Sequence, residues 1–226
     1  MNLEPSASRA TREILITGAT GYVGQRLALA LLQRGYRVRA LTRAASAAQI
    51  PKGAAVIVGD ALNADSVSGA LQPGDTIVHL VGTPHPNPSK ARQFQEVDFV
   101  SIRATVEAAK RVPPSHLIYV SVAHPAPVMK AFIEVRSAGE AMIRDAQLTA
   151  TVLRPWYILG PGHWWPLALI PFYKIAEMLP SWRASAQRLG LVSIKQMVNA
   201  LVNAVENPPP REALRIVEVP EIKSAT

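Results

Sequence analysis

A doubly wound α/β sheet of parallel strands, with a small α-rich extension at its carboxyl end, is the fold class that this sequence predicts. Three observations predict it. Short apolar runs rich in β-branched residues alternate with helical patterns from residue 14 to residue 111. The first run leads through three glycines, Gly18, Gly21 and Gly24, directly into a helix. No internal repeat or low-complexity linker interrupts the 226 residues, so one domain is expected, with 163–226 as its substrate or partner region.

Ile14-Leu15-Ile16-Thr17 reads as a buried strand, and Gln25 to Arg34 carries an amphipathic helical pattern. Between them, Gly18 can adopt backbone angles closed to other residues, Gly21 lets the main chain approach a phosphate, and Gly24 allows close helix–strand packing. The helix start then turns free N–H groups and partial positive charge toward an anion. With Thr20, Tyr22 and Val23, the loop is a candidate dinucleotide cradle. A plain strand-to-helix turn needs one such glycine, not three in register.

Tyr36 to Arg43 forms the second strand, with Gly35 closing the helix before it. Thr42 and Arg43 end it, where a dinucleotide fold places either an acid for the ribose 2′-hydroxyl or an arginine for a 2′-phosphate. No carboxylate stands there, which favours NADP over NAD, with Arg39 as a candidate helper. Ala54 to Val58 is the third strand and runs into Gly59-Asp60-Ala61, followed by a short helix from about Asp65 to Leu71. Asp60 either caps that turn or receives the adenine amino group.

Thr76 to Gly82 is the fourth strand, with Val81 and Gly82 at its carboxyl end, the edge where ligands sit in open α/β sheets. The proline-rich loop Thr83 to Ser89 follows and carries His85, an exposed residue or an acid–base candidate. A long helix from about Ala91 to Arg111 stops at Pro113-Pro114. His116 to Val122 is the fifth strand, and Ser121 near its carboxyl end is placed to address a carbonyl.

Thr-Gly-Ala-Thr-Gly-Tyr-Val-Gly at 17–24, Gly59-Asp60, the serine closing the fifth strand and Leu153-Arg154-Pro155 leading to Gly160 resemble the short-chain dehydrogenase/reductase superfamily in its atypical and extended branches. The resemblance covers roughly residues 12 to 162. More narrowly, the chain is similar to small NAD(P)-binding proteins grouped with the nucleotide-binding accessory subunit of respiratory complex I and with NmrA-like sensors. This implies a Rossmann-like fold, a nicotinamide dinucleotide cofactor, and Pro155 and Tyr157 beside the nicotinamide.

Active members use a tyrosine to move the proton and, four residues later, a lysine that lowers its pKa and holds the nicotinamide ribose; that spacing puts both on one helix face. The matching positions here are Phe132 and Arg136, in a helix from Ala131 to Arg144 that also carries Glu140. Phenylalanine has no proton to give, while Arg136 can still donate to a ribose hydroxyl. Two readings follow. One is a reductase or an epimerase/dehydratase-like enzyme acting on an apolar carbonyl or quinone-like substrate, its proton coming from Ser121, His124, Lys130 or Tyr157. The other is a non-catalytic dinucleotide-binding accessory or redox-sensor protein.

Thr149 to Arg154 is the sixth strand. Residues 163–182 hold three of the four tryptophans and almost no charge, which suits a pocket wall, a peripheral membrane contact or a helix covering the sheet. Ser193 and Gln196 form a capping box for a last helix reaching about Val205, Leu214 to Val219 is a last strand, and a tail follows from Pro220.

The net charge of +8 admits a phosphate-rich cofactor or an anionic surface. The basic residues are scattered, without a run or a basic helix, so no nucleic-acid partner is expected. The absence of cysteine excludes thiolate catalysis, and the five histidines lack zinc-site spacing, so no metal is expected. Met1 to Arg12 has no apolar core of signal-peptide type, and no apolar run reaches the roughly 18 residues of a membrane span, so a cytoplasmic location is expected. Nothing in the pattern sets an oligomeric state.

Overall fold

A computed structural model describes residues 13–126, 128–161 and 189–225; the aromatic-rich stretch 163–182 lies outside the described residues. Seven parallel strands form the main sheet in the order β3-β2-β1-β4-β5-β6-β9. They are β1 (Glu13–Thr17), β2 (Arg37–Thr42), β3 (Ala55–Val58), β4 (Thr76–His79), β5 (His116–Val120), β6 (Ala150–Arg154) and, after two short strands described below, β9 (Leu214–Glu218). The chain winds outward from β1 to β3, then crosses to β4 and winds the other way. The reversal between β1 and β4 is the switch point at which such sheets bind ligands.

Apolar side chains leave the inner strands toward both faces, as a doubly covered parallel sheet requires, while the edge strand β3 leaves Val56 and Val58 exposed. Ile14 and Ile16 face a core with Leu27 and Leu31 of α1 (Tyr22–Gln33). Leu15 faces a second core with Val67 of α2 (Ala64–Ala70) and Ile143 of α5 (Lys130–Asp145). The expected helix at 91–111 is α3 (Ala91–Gln93), a π-helical segment (Phe94–Phe99) and α4 (Val100–Arg111). The widened π turn sits where Asp98 is buried beneath the loop that follows β4.

The carboxyl-terminal region is woven into the sheet. Helix α6 (Ile194–Glu206) packs in the core beside α1 and carries the expected capping box, with Ser193 Oγ accepting from the Gln196 N–H at 3.2 Å and Gln196 Oε1 accepting from the Ser193 N–H at 2.9 Å. Three local readings need correction. Val192 and Ser193 belong to β8 (Leu191–Ser193), which pairs with β7 (Tyr157–Leu159), and neither strand was expected. The segment after Pro220 is helix α7 (Val219–Ser224), whose Val219 and Ile222 are buried; proline in a first turn starts a helix at no hydrogen-bond cost. Strand β4 ends at His79, three residues before Gly82.

His79 is fully buried, with Thr17 and Thr105 hydroxyls at 3.1 and 3.0 Å from Nδ1 and the Ser101 hydroxyl at 3.3 Å from Nε2. Burial, helped by the nearby charge of Arg136, lowers its pKa from 6.5 to about 3. The unfolded chain therefore binds a proton that the folded chain refuses. Stability should fall as pH drops from 6.5 toward 3, approaching about 1.4 kcal/mol per pH unit for this one group. Urea unfolding of the wild type and His79→Asn across that window checks it: the variant should show the shallower decline, and parallel curves would remove His79 as the cause.

Candidate functional site

The loop between β1 and α1 is built as the glycine spacing requires. Gly18 has φ +79°, and a Cβ there would lie 2.7 Å from the Leu80 carbonyl carbon. A Cβ on Gly24 would lie 2.7 Å from the Ala19 Cα. Gly21 caps α1 and donates to the Gly18 carbonyl at 3.0 Å, while Gln25 donates to the Thr20 carbonyl at 3.1 Å and pins the loop. The first turn of α1 contains no acid, and no side chain caps it. Its positive end is thus left for an anionic ligand rather than satisfied internally.

Above this loop lies a cleft of about 410 Å³. Gly18, Thr20, Gly21, Thr42, Arg43, Asp60, Ala61, Val81 and Gly82 all line it. So do Ser46, Leu62, Pro84 and Val97, which no motif had marked. Arg43 is exposed at the start of a 3₁₀ turn (Ala44–Gln49) that carries Ser46 beside it. Asp60 serves the turn, where its Oδ1 accepts from the Leu62 N–H at 2.9 Å, and the residue borders the cleft. Arg39 is not a helper. It donates to the Ala70 carbonyl at 2.8 Å and pairs with Glu13 and Asp75 away from the cleft.

A second cleft, of about 360 Å³, adjoins the first, and the two share Leu80 and Gly82. Tyr22, Val23, Phe132, Arg136 and Tyr157 line it together with Met129, Trp156 and Ile158. Its walls are mainly apolar and aromatic, with Phe132 packed on Phe94 at 4.9 Å between ring centres. The sequence-derived residues Gly24, Ser121 and Pro155 border neither cleft. Gly24 serves packing, and the Pro155 carbonyl accepts from the Ala123 N–H at 2.9 Å.

Beneath these clefts lies a chain of buried charges. The Arg136 guanidinium reaches Asp98 Oδ1 at 2.5 Å and the Val120 carbonyl at 2.9 Å. The other Asp98 oxygen accepts from the Thr83 hydroxyl at 2.6 Å and the Thr83 N–H at 2.9 Å. Burial alone would lower the pKa of Arg136, but Tyr119 and Asp98 outweigh it and raise the value, so the charge persists. A Cβ on Gly82 would meet the end of this guanidinium, so the glycine at the shared wall leaves room for the arginine behind it.

Ser121 donates to Glu140 at 2.5 Å, and Glu140 pairs with Arg154, which also donates to Glu218 at 2.9 Å. Burial pushes the Glu140 carboxyl up. The hydrogen bonds of Arg154 and Ser121, with the charges of Arg154 and His124, overcome this and hold it below the usual carboxylate range. Sequence reading missed Asp98 and Thr83 because Asp98 lies 38 residues from Arg136 and 15 from Thr83 in the chain.

A family model described as NAD(P)H-binding matches residues 18–161. The chain belongs to this NAD(P)H-binding family. The glycine motif on which the resemblance to the short-chain dehydrogenase/reductase superfamily rests opens this match. This family member is 27% identical over 222 residues to the ceramide reductase of Caulobacter vibrioides, a match spanning 96% of this chain and 67% of that protein. It is 28% identical over 144 residues to the photosystem II assembly factor Ycf39 of Trieres chinensis, across 62% of this chain. It spans less than half of that assembly factor, 44% of its length. Among solved structures, WbmF of Bordetella bronchiseptica in complex with NAD⁺ superimposes with a TM-score of 0.67 at 14% identity, covering 96% of this chain and 78% of that one. The UDP-glucuronic acid 4-epimerase of Bacillus cereus in complex with NAD gives 0.67 at 18%, covering 91% and 77%. These likenesses show the fold. The glycine floor and uncapped helix start fit a dinucleotide phosphate. No helix among the described residues is long and apolar enough to cross a membrane.

Proposed function

We propose that this chain binds NADP(H) and reduces an apolar carbonyl compound. The observation that carries the reading is the junction of the two clefts: a glycine-floored groove with Arg43 at one end meets an apolar chamber at Leu80 and Gly82. When bound, a nicotinamide dinucleotide would supply hydride to the acceptor. The glycine loop holds the phosphates, Arg43 and Ser46 receive the 2′-phosphate, and the chamber excludes water from the acceptor. Residues 163–226 complete the region that meets substrate or partner. The likeness to a protein named ceramide reductase supports the reductase reading.

The test is oxidation of NADPH by purified protein with medium- and long-chain aldehydes, ketones and quinones. Arg43→Ala should weaken NADPH by about 10- to 100-fold and NADH by about twofold or less, because only the former loses a charge-assisted contact. Equal losses for the two cofactors, measured by fluorescence titration, would detach Arg43 from the 2′-phosphate.

A second reading, dinucleotide binding without turnover, draws on a specific observation. Ser121 and Arg136, at two positions of the family's catalytic set, are engaged by Glu140 and Asp98. NADPH that binds and raises the melting temperature, but is oxidised by no acceptor, decides for this reading.

A further inference from the structure

We propose that the outer edge of β3 is a homodimer interface, on which a second copy of this chain adds its own β3 antiparallel about a twofold axis. Strand β3 ends the sheet, and among the described residues no strand pairs with its outer edge. Edge strands are ordinarily guarded by charge, proline or a bulge. From Gly53 to Gly59 this one carries neither a charge nor a proline. Its Val56 and Val58 side chains are 43% and 64% exposed. Leu29, 46% exposed, shares a flank of α1 with Gln25 and Leu32; Gln25 donates to the Gln49 carbonyl at 3.4 Å, and Leu32 lies beside Gly53, just before the strand. Three of the four large apolar side chains exposed among the described residues therefore gather at this edge. Ala44, Ala45 and Ala48 of the 3₁₀ turn beside β3 are exposed as well.

The main chain fixes the register. The Gly59 N–H turns inward to the Thr42 carbonyl at 2.9 Å. Backbone groups alternate along a strand that pairs on one side, so Val56 and Val58 turn theirs outward. Only outward groups can bond a new strand, and a twofold centred on Val56 engages them all. Val56 exchanges both bonds with Val56 of the second copy, and each Val58 N–H meets the carbonyl of Ala54, whose own N–H already donates to the Pro51 carbonyl at 3.2 Å. Ala54, Val56 and Val58 share the α1 face of the strand, so apolar side chains meet across the seam. The charges are complementary too. Exposed Lys52 precedes the strand and exposed Asp60 follows it, so antiparallel pairing brings each toward its opposite in the second copy. Gly59 and Asp60 also line the dinucleotide cleft, so the seam ends at its rim.

The experiment uses the full chain in sedimentation velocity across about 1–100 µM. A species of twice the chain mass is expected. Val56→Lys sets two like charges face to face at the twofold and should raise the dimer dissociation constant by about 100-fold or more. Val58→Pro removes an outward N–H while leaving the bonds to β2 in place, and should weaken the dimer by about 10-fold or more.

The chain has no cysteine, so a single introduced thiol maps the register. Two copies of Val56→Cys stand about 5.5 Å apart at Cα, within disulfide range, and air oxidation with copper phenanthroline should cross-link them. Val128→Cys, exposed on the loop before α5, should stay uncross-linked at the same concentration. Far-UV circular dichroism checks that each variant is folded. A wild type that stays monomeric throughout overturns the interface. A dimer that Val56→Lys and Val58→Pro both leave intact, or one in which Val56→Cys cross-links no better than Val128→Cys, does the same.

Discussion

Gly18→Ala is expected to remove detectable NADPH binding and to destabilise the fold by about 3 kcal/mol or more. Two independent costs add at this residue. Its φ of +79° is strained for any side chain, and the new Cβ would sit 2.7, 2.8 and 2.9 Å from Leu80 C, Leu80 O and Val81 N. Those are backbone atoms just past the end of β4, beside the wall where the two clefts meet, so relief requires moving this segment away from β1. That movement would strain the hydrogen bond from the Leu80 N–H to the Thr17 carbonyl, now 2.9 Å long. Gly69→Ala is the matched control. It lies within α2 with nothing within 4 Å of a built Cβ, so the helix should gain up to about 1 kcal/mol and binding should not change. Urea unfolding and NADPH titration of both variants check the contrast. A Gly18→Ala protein with wild-type affinity would show that the loop does not approach the phosphates.

The features legible in the sequence are those whose cause is local. Three glycines in register, Ser193 with Gln196, and the proline pair after Arg111 each act over a few residues, and a residue's neighbours in the chain are then its neighbours in space. The alternation of strands and helices extends this to the sheet, because short right-handed crossovers leave few ways to order parallel strands. Arg39 shows where the reasoning ends. From the chain alone, an arginine three residues before the end of β2 matches a phosphate ligand as well as it matches a partner for Asp75, which is 36 residues away in the chain. Pro220 was misread for a related reason: proline stops one helix and starts another, and only burial of Val219 and Ile222 decides between them. At Ser121 the hydroxyl stands at the expected strand end, but Glu140, one helix later, draws it away from both clefts.

Arg136→Met should destabilise the fold by about 3–5 kcal/mol, because it leaves Asp98 as a buried carboxylate without its cation. The side chain of Asp98 has no exposed surface, and after the substitution only the Thr83 hydroxyl and N–H would still serve it. Arg136→Lys should recover only part of the loss, since one ammonium cannot reproduce a planar fork that spans Asp98 and the Val120 carbonyl. The double variant Asp98→Asn with Arg136→Met removes both charges and keeps an acceptor for Thr83, so it should regain more than half of the stability lost by Arg136→Met alone. Urea unfolding of the set gives the coupling directly. A single-variant loss below about 1 kcal/mol would mean that the pair is screened by water and is not the interior clamp its geometry describes. The clamp also reaches the ligands. Arg136 backs Gly82, and Asp98 holds Thr83, so releasing the pair frees the wall between the two clefts. Affinity for NADPH and for an apolar carbonyl ligand should therefore fall together, whereas loss of a contact made by Arg136 to ribose alone would weaken NADPH and spare the apolar ligand.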